Sequence, residues 1–115
     1  MTVTIYHNPR CSKSRQALQY IRDAGIEPNI IEYLKNPPTL EQIEKLYDRL
    51  KCPTPVAMVR TKEFEFKACK LSSKSNKEEI LQAIAMNPIL LERPIVITPK
   101  GARICRPPEA VQEIL

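Results

Sequence analysis

The sequence has no tryptophan and only two phenylalanines and four tyrosines. With no stacking motif and no run rich in lysine and arginine, it lacks the surfaces by which nucleic-acid modules hold bases. No segment approaches the roughly 20 apolar residues that a membrane span requires. The start, M-T-V-T-I-Y, also lacks the basic stretch followed by a long apolar one that marks a secretory leader. A cytoplasmic protein with neither nucleic acid nor membrane as partner is the expectation. A C-x-x-C pair is missing too. The four cysteines stand at 11, 52, 69 and 105, and no two are close enough to form the paired half of a zinc site, so neither a metal nor a bound cofactor is expected. They should be reduced thiols, because a chain of 115 residues can bury an adequate core without disulfides.

What is present has the balance of a globular domain, 43% hydrophobic and 27% charged. Eighteen lysines and arginines against thirteen acids leave a net charge of +5. That excess favours an anionic partner, and a small oxyanion fits it.

The order of elements reads as alternating α/β. Val3 to Tyr6 is a β-branched and aromatic run that stops at Asn8-Pro9, which predicts a buried strand. From Ser12 the spacing of Ala17, Leu18, Ile21 and Ala24 predicts a helix that Gly25 ends. Asn29 to Tyr33 reads as a second strand. Thr39 and Gln42 make a capping-box pattern for a helix whose apolar face is Leu40, Ile43, Leu46, Tyr47 and Leu50. A short helix over Val56 to Arg60, a polar loop and a helix over Lys77 to Met86 follow. Ile95 to Thr98 and Ala102 to Cys105 form a hairpin around Pro99-Lys100-Gly101, and Glu109 to Leu115 a terminal helix. One domain, residues 1–115, is expected, with a mixed sheet flanked by helices and a helical insertion at about 38–90.

The chemistry is concentrated in H-N-P-R-C-S-K-S-R, His7 to Arg15, nine residues without an acid around one cysteine. A thiol attacks as its thiolate, and an ordinary cysteine of pKa about 8.5 is mostly protonated near neutral pH. Lowering that pKa by about two units takes roughly 2.7 kcal/mol. A helix N-terminus supplies about 0.3 to 1 kcal/mol, up to about 2 when partly buried, and cations must supply the rest. Arg10, Lys13 and Arg15 are the local candidates, with His7 a possible hydrogen-bond donor. Cys11 lies between a strand and a helix, at the mouth of an anion site made from unpaired backbone N–H groups.

Neighbouring chemistries are excluded by spacing. The phosphatase loop C-x-x-x-x-x-R needs an arginine where this chain has Ala17, and a dithiol centre needs a cysteine where it has Ser14. Any disulfide chemistry has to borrow an outside thiol. Arginines from distant segments must then grip the oxyanion, and Arg60, Arg93 and Arg106, each next to structural punctuation, are the candidates. Cys52, Cys69 and Cys105 read mainly as packing residues, with Cys105 set apart by its neighbour Arg106.

The motif at His7 to Arg15, E-R-P-I-V around position 94 and A-R-I-C-R-P-P-E before the end resemble, in order and spacing, the glutathione- and glutaredoxin-dependent arsenate reductase family. The resemblance covers nearly the whole chain. It implies a thioredoxin-like fold, a cis peptide at Pro94, Cys11 as nucleophile, and Arg60, Arg93 and Arg106 as ligands of arsenate and its thiol adduct. His7 and Ser14 would be supporting contacts. It also implies glutathione as co-substrate and glutaredoxin as partner. Ser12-Lys13 departs from the smaller Gly-Thr type of pair in the arsenic-resistance members. Two other readings stay open: a thioredoxin-like regulator that binds RNA polymerase, and a glutathione-dependent reductase of protein mixed disulfides.

Overall fold

Strand β1, Thr4–His7, is the centre on which the other strands are ordered in the computed structural model, which describes residues 2–115. β2, Asn29–Glu32, pairs with it in parallel, and β3, Ile95–Thr98, pairs with its other side antiparallel. β4, Gly101–Ile104, completes the order β2-β1-β3-β4. The parallel pair requires a crossover. Helix α1, Ser12–Asp23, supplies it.

The chain divides into two compact units, one made of residues up to Asn36 together with Arg93–Leu115, the other of Pro37–Glu92. In the first, Val3, Ile5, Val96 and Cys105 from the sheet side meet Ala17, Leu18 and Ile21 of α1 and Val111 near the C-terminus in one apolar cluster. The period of two along β1 and the helical period along α1 bring these residues to a common face. Each fully buried aliphatic side chain there contributes about 1.5 to 3 kcal/mol.

The second unit holds α2, Leu40–Leu50, α3, Phe64–Ala68, and α4, Lys77–Met86. α2 begins with the capping box expected of it: Gln42 donates its backbone N–H to Thr39 Oγ1 at 3.2 Å, and Thr39 donates its own to Gln42 Oε1 at 2.9 Å. Asn76 and Glu79 make the same reciprocal pair for α4. Ile43, Leu46, Ile80, Leu81 and Ile84 are buried, α2 packing on α4.

Several local expectations are corrected. Ala24 is exposed and caps α1 instead of extending its apolar face. The helix expected at Val56 to Arg60 is a 3₁₀ turn over Pro55–Met58, because Val59 leaves it to bridge Leu91 and Arg60 donates its N–H to the Leu90 carbonyl. The terminal helix is a 3₁₀ segment at Pro108–Glu113, not Glu109 to Leu115. Past its end, Thr98 and Lys100 donate to the Ile114 and Leu115 carbonyls. α3 was not expected at all: none of its residues is buried, so no apolar stripe announces it.

Thr39→Ala removes the side-chain acceptor at the start of α2 and should lower stability by about 1 kcal/mol. Ile5→Ala, in the middle of β1 and fully buried, should cost about 2 to 5 kcal/mol. Urea unfolding monitored by circular dichroism checks both, and the larger loss belongs to Ile5.

Candidate active site

Strand register gathers the site. His7 ends β1 and Glu32 ends the parallel β2, so the loops that follow both leave from the same edge of the sheet. β3 runs the other way with Ile95 opposite Tyr6, which brings Arg93 and Pro94 to that edge. β4 turns back with Ile104 opposite Ile95, which brings Cys105 and Arg106 there too. Four segments far apart in sequence therefore meet at the carboxyl ends of the parallel strands, where open α/β sheets receive their ligands.

Cys11 is the N-cap of α1, in extended conformation at φ −94° and ψ 121°. Asn8 builds the turn in front of it: its carbonyl accepts the Cys11 N–H at 3.0 Å, and its Oδ1 accepts the Arg10 N–H at 3.0 Å. The turn leaves the cysteine sulfur over the open end of the helix. Burial works to raise the Cys11 thiol. The backbone N–H of Ser14, the hydrogen bond and the charge of Arg93, and the backbone N–H of Lys13 together outweigh it, so the thiol lies below the usual cysteine range.

The expected local cations are not the source of this effect. Arg10, Lys13 and Arg15 are exposed, and none of their side-chain charges is among the groups acting on the sulfur. Water screens charges so placed. Arg15 moreover donates to the Pro9 carbonyl at 2.8 Å. The cation that counts comes from the far end of the chain. Burial disfavours the charge of Arg93, but the Cys11 sulfur and the Tyr33 hydroxyl compensate, and the guanidinium is held above its ordinary pKa. Fully buried Tyr33 was not anticipated. It immediately follows β2, and nothing in its sequence surroundings marks it as a partner for an arginine.

His7 and Ser14 form a buried pair, His7 Nδ1 lying 2.5 Å from Ser14 Oγ. Ser14 Oγ also accepts the Asn8 N–H at 3.1 Å. Burial lowers the His7 pKa, with Glu32 acting in the opposite direction. Ser14 thus serves twice: its amide faces the sulfur and its hydroxyl ties the helix to the strand end and the turn.

Arg106 donates Nη1 to the Arg93 carbonyl at 3.0 Å and so stands beside it. Arg93 and Arg106 each precede a cis proline, Pro94 as the resemblance implied and Pro107 in addition. Arg60 belongs to the other unit, where it pairs with Glu63 at 3.1 Å and Glu92 at 3.4 Å. Cys11, His7, Ser14, Arg93 and Arg106 therefore share one unit, and Arg60 does not. Cys105 is fully buried in the apolar cluster, and burial pushes its thiol up to about 12. Among the described residues no group of three or more His, Cys, Asp or Glu could hold a metal ion, and no helix is long and apolar enough to cross a membrane.

A thioredoxin-like mixed sheet that presents a cysteine at a helix N-terminus beside a buried arginine defines a class of thiol proteins whose reactive sulfur faces an anion site. Within that class, the chain belongs to the ArsC family, whose model matches residues 6–114. It is 47% identical to an arsenate reductase of Rhizobium meliloti, over all of this chain and 82% of that protein. It is 43% identical to the uncharacterized protein YfgD of Escherichia coli, over 98% of this chain and 96% of that one. A solved structure of an arsenate reductase from Vibrio cholerae superposes with a TM-score of 0.95 at 44% identity, covering 100% of this chain and 98% of its own.

A lowered thiol pKa leaves more thiolate at a given pH. Alkylation of Cys11 by iodoacetamide should therefore reach half its plateau below the ordinary cysteine value of about 8.5. Replacing Arg10, Lys13 and Arg15 together by alanine should leave that midpoint in place. A midpoint that returns to the ordinary value in this variant would restore the local cluster as the cause.

Proposed function

We propose that the protein is an arsenate reductase in which Cys11 is the nucleophile and Arg93 and Arg106 hold the oxyanion. The observation that carries this reading is the Cys11 sulfur itself, hydrogen-bonded by two helix amides and by Arg93, with Arg106 tied to the Arg93 backbone. A nucleophile and a grip for an anion coincide there, and the ArsC-family match supplies the substrate class.

In the first step the Cys11 sulfur bonds to arsenic and one arsenate oxygen leaves as water, taking up the proton that the thiol and the acid between them supply. The charge on the remaining oxygens is met by the guanidiniums, which need not reorganise because hydrogen bonds already fix them. Glutathione then attacks the adduct, arsenite departs with the electron pair of the S–As bond, and glutaredoxin resolves the mixed disulfide left on Cys11. His7 and Ser14 act as positioning residues: they hold the first turn of α1 so that its amides aim at the sulfur. Arg60 is the third oxyanion ligand of this proposal, supported by the family pattern alone. No bound cofactor takes part, the reaction belongs to the cytoplasm, and the chain works as one domain with the insertion at about 38–90.

Arsenite formation from arsenate in the presence of glutathione and glutaredoxin tests the reading. The native protein should turn over and Cys11→Ser should not. Arg93→Ala and Arg106→Ala should each raise KM for arsenate by roughly tenfold or more, the scale of a lost charge-assisted pair. An active Cys11→Ser protein, or arginine variants with native KM, contradicts it.

A further inference from the structure

Three cations flank Cys11 in the chain and take no part in activating it. Arg10, Lys13 and Arg15 are exposed, and none of their side-chain charges acts on the sulfur. Their position nevertheless costs stability, because a cation in the first turn of a helix opposes the macrodipole. No acid in that turn offsets them, and the first acid of α1 is Asp23, at the helix's far end.

Neutralisation in this unit is selective. Arg22 is paired with Glu27, Lys35 with Glu32 and Arg103 with Glu113. Arg10, Lys13 and Arg15 join no salt bridge among the described residues. Arg15 has a polar contact, but a neutral one: its Nη1 donates to the Pro9 carbonyl at 2.8 Å, which ties the guanidinium to the turn before Cys11 and leaves its charge uncancelled. Positive charge is therefore retained around the reactive cysteine and cancelled elsewhere on the same unit at Arg22, Lys35 and Arg103.

We propose that Arg10, Lys13 and Arg15 form a steering surface that concentrates multiply charged anions at Cys11 and gives no advantage to neutral reagents. The substrate it serves, dianionic arsenate, rests on the reading above. The Cys11 sulfur is set back against the helix amides and Arg93, whereas an arriving ion carries its charge in the solvent that the three exposed side chains occupy. There their field reaches about 10 Å at 0.1 M ionic strength and about 30 Å at 0.01 M. The gain grows with the charge of the ion. A potential that concentrates a monoanion about threefold concentrates a dianion about ninefold and a neutral molecule not at all. The three residues thus select by charge before the guanidiniums of Arg93 and Arg106 select by shape.

Iodoacetate and iodoacetamide carry the same leaving group and differ by one negative charge, so the ratio of their rates at Cys11 reads the field without any use of arsenate. The rates are followed on the Cys11 peptide by mass spectrometry, at a pH above the thiol midpoint so that the sulfur is thiolate in every protein. At about 0.01 M ionic strength, replacing Arg10, Lys13 and Arg15 together by alanine should lower the iodoacetate-to-iodoacetamide ratio about threefold. Salt alone, added to the native protein, should lower it to a similar extent, and the variant should respond less. In turnover the variant's KM for arsenate should rise about ninefold at low salt, and the gap should close at high salt. A ratio that is the same in the native protein and the variant, or that ignores salt in the native protein, would overturn the proposal and leave the arsenate reading standing. A ratio that falls as expected in a protein that does not reduce arsenate would support the steering surface and remove that reading.

Discussion

The hydrogen-bonded contact between the Arg93 guanidinium and the Cys11 sulfur joins residues 82 positions apart in the chain, and the rest of the site is arranged around it. Each group makes the other tenable. A partly buried sulfur resists ionising, and a partly buried guanidinium resists keeping its charge; together they favour the charged pair. Tyr33, just after β2, adds a polar partner for the arginine. The sheet order explains why this can happen, since β1, β2, β3 and β4 all deliver a strand end to the same edge.

Backbone and side chain divide the work. The helix amides of Lys13 and Ser14 address the sulfur, while the Ser14 hydroxyl, His7 Nδ1 and the Asn8 amide lock the first turn of α1 to the end of β1. Because the amides are fixed by secondary structure, they cost no side-chain ordering when an anion arrives.

The strands, α1, α2 and α4 were legible because each carries a local signal: a β-branched run, an apolar stripe, a Thr39-to-Gln42 box. Cys11 was legible for the same reason, as a cysteine between a strand and a helix in an acid-free segment. The cause of its activation was not. Sequence proximity pointed to Arg10, Lys13 and Arg15, but a side chain's neighbours in water are screened, and the partner that matters is chosen by burial and register. Arg93 was named as an oxyanion ligand without its contact to the sulfur being visible, and Tyr33 carried no signal at all. α3 lacked a buried face, and the terminal segment is a 3₁₀ turn whose following carbonyls accept from Thr98 and Lys100, contacts that only the folded chain supplies.

The most direct measurement is a pH titration of the Cys11 Cβ resonance, by carbon NMR, in the native protein and in Arg93→Met, which keeps a long side chain and removes the charge. The account predicts a native midpoint below the ordinary cysteine range and an upward displacement in the variant, because burial then acts on the sulfur with only the two amides to oppose it. Coincident titration curves for the two proteins would contradict it.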